Sequence, residues 1–246
     1  MVDPQRRARD WSVDERQLLT KALRRPRGRY TAQRAAQLAG VPRSTVYDWA
    51  REGVVKPDYQ RSRPMYWSYR DLVFLRMMAW LRTLGMERRL AVDRISFFRD
   101  AFANMTDLAG FERIKSDGKS ILIGDSHVDE VTGAQVLDQG FLAFLDDFRL
   151  VVPAEVEELG STRLWGPDLL TPVEHVAIDP WVMGGDPCVY GTRIPTSTIF
   201  ALMTQRELRP EAIATLYRDA LSEDDIESAA NLENALKTRT PIAVSA

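Results

Sequence analysis

At 246 residues, 45% hydrophobic and 28% charged, the chain is long enough for one or two packed domains and reads as water-soluble. It has no apolar run long enough to span a membrane, no apolar stretch in Met1–Arg7 of the kind a secretory signal carries, and one cysteine, Cys188. Those features exclude a disulfide framework and lead us to expect a cytoplasmic protein. The net charge of -2 hides a split: residues 1–100 carry 22 Lys/Arg against 11 Asp/Glu, whereas residues 101–246 carry 11 against 24. A basic end suits a polyanion, and an acidic end suits a different partner.

Residues 1–29 read as a basic arm and helix. Ser12 and Glu15 have capping-box spacing, and Leu18, Leu19, Ala22 and Leu23 supply an apolar side. The helix ends in the cationic Arg24-Arg25-Pro26-Arg27-Gly28-Arg29. From Thr31 to Arg51 the residues meet the demands of a helix-turn-helix. Ala36 is small where two helices cross, and Gly40 permits the positive φ of the turn. Pro42 suits the first turn of the second helix, and Val46 with Trp49 form its buried pair. On the outer face remain Arg43, Ser44, Thr45, Tyr47, Asp48 and Arg51. A recognition helix presents its first residues to base edges in the major groove of double-stranded DNA. Arg43 has the donors to pair with guanine, and Ser44 or Thr45 can meet a base or a phosphate. Tyr47 fits a phosphate or thymine-methyl contact and equally fits packing beneath a wing. Asp48 reads as a solubilising charge.

Residues 54–68, with breakers Pro57 and Pro64, suggest a small hairpin or wing, and Tyr69 to Leu84 is a strongly apolar helix. Tyr30-Thr31, the motif after it, Arg51-Glu52-Gly53-Val54-Val55 and Tyr66-Trp67-Ser68-Tyr69-Arg70-Asp71-Leu72 together resemble the MerR-type winged helix over residues 30–86. The resemblance implies that Lys56, Arg61 and Arg63 lie in the wing and touch the DNA backbone or minor groove. Beyond this stretch the chain lacks the long heptad helix and metal-binding cysteines of effector-sensing members.

Residues 87–174 form a middle segment. A helix is expected at 87–102, and its Val92, Ile95, Phe97 and Phe98 suit either a homodimer surface or packing inside the segment. Alternating residues around Ser116-Asp117-Gly118-Lys119 predict a β-hairpin. Phe141–Val152 fits a helix or a strand equally, and Pro153, Pro167 and Pro172 mark a connector. His127 and His175 are the only histidines. Asp125, His127, Asp129 and Glu130 alternate in what reads as a solvated loop, with no motif completing a metal site. We therefore expect no enzyme, no metal and no cofactor. Cys188 lies among apolar residues and reads as packing.

Residues 175–246 change texture. A Gly/Pro-rich ribbon precedes three helices expected near 196–205, 210–219 and 222–237, the last capped by Ser222. Ile178-Asp179-Pro180, Gly184-Gly185-Asp186-Pro187, Gly191-Thr192-Arg193-Ile194-Pro195 and Leu221-Ser222-Glu223-Asp224-Asp225-Ile226 resemble a small bacterial domain of uncharacterised function, frequent in antitoxins encoded beside PIN-domain toxins. The whole layout is similar to a large VapB-like antitoxin. The resemblance implies two partners, operator DNA and a PIN-like ribonuclease, with Arg193 a candidate to meet the toxin's catalytic carboxylates or, alternatively, a donor within its own ribbon. A ligand-responsive regulator without a toxin is the alternative function. The expected fold is mainly α with small β elements: winged helix-turn-helix, middle α/β-hairpin segment, and C-terminal helical bundle with a β-ribbon.

Overall fold

A computed structural model describes residues 12–59, 64–104, 106, 114–116, 119–123, 128–130, 132–134, 142–143, 166–218 and 220–238. Its first helix, α1 (Val13–Arg24), begins where the sequence places a cap. Ser12 N–H donates to Glu15 Oε2 at 2.7 Å, and Glu15 N–H donates to Ser12 Oγ at 3.2 Å. Leu19, Ala22 and Leu23 on its apolar side are fully buried.

A two-residue strand, β1 (Tyr30–Thr31), leads into α2 (Ala32–Ala39) and α3 (Arg43–Arg51). Thr31 caps α2 by accepting the Arg34 N–H at 3.2 Å. Gly40 turns the chain at φ 75°, a left-handed value that costs glycine little. Pro42 stands one residue before α3 rather than inside its first turn; its carbonyl accepts the Val46 N–H at 3.2 Å. Val46 and Trp49 are buried, as the helix-turn-helix requires.

Strand β2 (Tyr66–Trp67) pairs antiparallel with β1, Tyr30 opposite Trp67 and Thr31 opposite Tyr66. Of the stretch 54–68, expected as a small hairpin or wing, Tyr66–Trp67 thus pairs across the helix-turn-helix, and residues 60–63 lie outside the described residues. Residues 54–59 hold no strand: the Val54 and Val55 N–H groups both return to the Trp49 carbonyl, and Pro57 has no N–H to offer a ladder. Arg61 and Arg63 lie outside the described residues.

Helix α4 (Tyr69–Thr83) starts at a second capping box, Ser68 with Asp71, and is buried on every side from Leu72 to Leu81. A helix apolar all round belongs in the middle of a fold, and α4 packs against α1, α2 and the next helix, α5 (Arg88–Asn104). Phe74 of α4 stacks on Phe102 of α5 at 5.7 Å. Ile95 and Phe98 are 1% exposed, and Val92 and Phe97 pack on the same core. Intramolecular packing thus buries Ile95 and Phe98 and leaves Val92 and Phe97 partly exposed.

Strands β3 (Ile114–Ser116) and β4 (Ile121–Ile123) form the expected hairpin, and β5 (Leu142–Ala143) adds to β3. The hairpin is tied to α5 through Arg94 and Asp129, 3.0 Å apart and each 2% exposed. Asp129 also accepts the Ile121 and Thr132 N–H groups at 3.1 and 2.8 Å. It is thus a buried structural carboxylate rather than part of a solvated loop; Asp125 and His127 lie outside the described residues.

The C-terminal part opens with β6 (Val176–Ala177) paired to β7 (Cys188–Val189) around a 3-10 turn at Met183–Gly185. Three helices follow: α6 (Thr196–Gln205), α7 (Pro210–Leu216) and α8 (Glu223–Thr238). Ser222 and Asp225 bond reciprocally at 2.8 and 3.1 Å at the start of α8. The fold is mainly α with short antiparallel strand pairs, and no helix among the described residues is long and apolar enough to cross a membrane.

Candidate nucleic-acid interface

Helix α3 buries Val46 and Trp49 against the core and leaves Arg43, Ser44 and Arg51 exposed, with Thr45 and Tyr47 half-buried. The alternation follows from 3.6 residues per turn: positions 46 and 49 share the inner face, 43, 44 and 51 the outer. The Arg43 guanidinium lies 5.6 Å from the Tyr47 ring centre, one turn away. Arg51 pairs with Asp48 at 2.7 Å on the surface, a contact too exposed to stabilise much. The Tyr47 ring also meets the Trp67 ring edge-on at 5.9 Å, so its body packs on β2. Lys56 is exposed just beyond α3. Arg43, Ser44, Thr45, Tyr47, Arg51 and Lys56 thus cluster on and beside one helix.

The loop holding Lys56 is fixed from below. Asp58 accepts from Ser68 Oγ at 2.6 Å, from Arg70 at 2.7 and 3.0 Å and from Arg99 at 3.2 Å. Asp71 accepts the Asp58 and Ser68 N–H groups, both at 2.9 Å, and Arg99 at 3.1 Å. Burial, and then the neighbouring Asp58 charge, push the Asp71 carboxyl up to about 6. Burial alone would raise Asp58 as well, but hydrogen bonds from Arg70 and Ser68 and the charges of Arg70 and Arg99 hold it below its ordinary value.

Residues 30–89 match the family described as MerR HTH family regulatory protein. The chain carries a MerR-type helix-turn-helix, the DNA-binding module of transcription regulators. Residues 176–231 match the family described as protein of unknown function (DUF433). No curated protein and no solved structure matches the chain.

The two matched regions touch through charges that sequence reasoning missed. Arg34 of the helix-turn-helix donates to both carboxylate oxygens of Glu233 on α8, at 2.7 and 3.1 Å, and to Asp186 at 3.0 Å. Thr196 Oγ1 donates to Glu233 at 2.5 Å. Burial lowers the Arg34 pKa, but Glu233 and Asp186 outweigh it and hold the guanidinium above its ordinary value. Nearby, Tyr30 O–H donates to the Gly185 carbonyl at 2.8 Å. The buried Arg76 donates to the Pro167 carbonyl at 2.7 Å and to that of Leu38. One signal was available in the sequence: Glu233 lies on the apolar stripe of α8, beside Leu232 and Leu236, where a charge requires a partner.

Arg193 is exposed beside a turn held by Thr192, whose hydroxyl donates to the Val189 carbonyl at 2.8 Å and accepts the Ile194 N–H at 3.1 Å. Cys188 is buried in β7, and burial followed by Asp186 pushes its thiol up to about 11, away from thiolate chemistry at neutral pH. Among the described residues no His, Cys, Asp and Glu group could hold a metal ion.

Proposed function

We propose that this protein is an antitoxin that represses its own operon by binding promoter DNA and inhibits a PIN-like ribonuclease encoded by a neighbouring gene. The observation that carries the reading is the pairing of an exposed, cation-bearing recognition helix with an acidic DUF433 domain docked behind it. Arg43, Ser44 and Thr45 are assigned to base edges. Tyr47, Arg51, Lys56 and, in the wing, Arg61 and Arg63 are assigned to phosphates. A single module of this kind buries about 600–1,000 Å² on DNA, so two copies on a palindromic operator are the expected binding unit.

Residues 175–246 hold six Lys/Arg against ten Asp/Glu, a sign that opposes phosphate contact and attracts the basic groove expected of a ribonuclease. Arg193, exposed on that domain, is assigned to the toxin's acidic metal site. No metal or cofactor is assigned to this chain itself.

The test uses the full chain, because truncation near Pro172 would strip Arg34 and Tyr30 of their partners at 186, 233 and 185. The neighbouring gene is expressed alone and together with this chain, in wild-type form and as Arg193→Glu. Growth arrest relieved by the wild-type chain, and relieved less by the variant, is the expected result. Arrest that persists with the wild-type chain present overturns the antitoxin reading.

A further inference from the structure

We propose that the stretch from the end of α1 to β1, with Lys21, Arg24, Arg25, Arg27 and Arg29, is a second phosphate-binding tract that extends the DNA footprint past the helix-turn-helix. The inference rests on the DNA-binding reading above and adds a contact outside the matched residues 30–89.

All five side chains are exposed, and none pairs with a carboxylate among the described residues. Lys21, Arg24, Arg25 and Arg27 line one cleft of about 640 Å³, where the acids among the described residues are Asp14 and Asp179. Five cations within nine residues repel one another, and a polyanion lying across them relieves that repulsion.

Direct contacts lead from the recognition helix to this tract. Tyr47 of α3 meets Trp67 of β2 at 5.9 Å, and the guanidinium of Arg29 lies 4.1 Å over the ring of Tyr66, its neighbour in the strand. The Arg27 carbonyl accepts the Tyr69 N–H at 2.7 Å, and the Arg24 carbonyl accepts from Arg70 at 3.4 Å. The backbone beneath the cations is therefore stitched to α4, and Arg29 to β2. A duplex lying on α3 and Lys56 would meet these arginines at its flank.

The tract is also held from the other side. Arg29 N–H donates to the Gly184 carbonyl at 2.6 Å, and Tyr30 O–H to that of Gly185 at 2.8 Å. Gly28 sits at φ 74°, and a Cβ there would fall 2.8 Å from the Tyr30 ring. The glycine turn of the DUF433 domain thus fixes the loop that carries the charges. A preorganised cation loses less conformational entropy on meeting a phosphate than one on a free arm.

The experiment compares the full chain with Arg24→Gln/Arg25→Gln/Arg27→Gln and with the triple lysine variant, on promoter duplex, over a series of salt concentrations. Each phosphate contact contributes about 0.9 to the slope of log affinity against log salt. The glutamine variant should therefore lose about 2.7 from that slope and, at moderate salt, on the order of tenfold or more in affinity, with unchanged base preference. The lysine variant should keep the slope, and thermal melting of all three proteins controls for folding. If the wild-type chain binds but the folded glutamine variant keeps its slope and affinity, the second tract is wrong while the DNA-binding reading stands. If the wild-type chain binds no duplex at all, both fall.

Discussion

Asp71 and Asp58 share a buried corner with two arginines, and their carboxyls are driven in opposite directions. Asp71 ionises near 6 in the fold against 3.8 ordinarily, because burial and the Asp58 charge outweigh Arg99 and two N–H donors. The sign of the linkage follows. Between these two values the native state binds a proton that the unfolded chain has released, so this group favours folding below pH 4 and loses that contribution as pH rises through 6. Asp58, held low, acts only at still lower pH, where its pairs are lost. Denaturant midpoints at pH 7 and pH 5 should therefore show the wild-type chain gaining on Asp71→Asn at the lower pH. A gain by the variant would reverse the assignment. The spacing of Ser68 and Asp71 made the capping box legible. The charge cluster was not, because Asp58 and Arg99 reach it from 13 and 28 residues away.

Among the elements, the helix-turn-helix was readable because its demands are local. Gly40, Val46 and Trp49 fall within ten residues, and each requirement is steric. The partner of β2 was not readable. A two-residue strand shows no alternation, and Tyr30 and Thr31 lie 37 and 35 positions from their partners Trp67 and Tyr66, on the far side of α2 and α3. Periodicity placed α5 but could not say what packs on it; α1 and α4 both do, and Ile95 and Phe98 are buried. The α2–α8 contact is the longest-range case, with Arg34 and Glu233 separated by 199 residues. Breaking a buried ion pair leaves an uncompensated charge, at a cost of about 3–5 kcal/mol. Arg34→Met and Glu233→Met should each lower unfolding stability on that scale, and the double variant Arg34→Met/Glu233→Met should lose less than the two single losses combined. Chemical denaturation reads all of these, and simple additivity would mean that the pair does not act as a unit.

At the scale of the whole molecule, the charge split survives folding as a basic DNA-binding module with an acidic domain fastened to its side. The sequence disclosed the split and both motifs. It did not disclose that the two regions share polar bonds, since Tyr30 and Arg34 carry no mark of partners at 185, 186 or 233. That fastening leaves the outer face of α3 exposed, and Arg43 stands on it. The most direct measurement is a titration of the full chain and of Arg43→Ala with the promoter duplex and with single-base variants of it. The account predicts that the wild-type chain prefers the promoter over unrelated duplex, and that Arg43→Ala loses discrimination at one base pair, at a cost of about 1–3 kcal/mol, while keeping its salt slope. Equal affinity of the wild-type chain for promoter and unrelated duplex, or no binding at low salt, would contradict it.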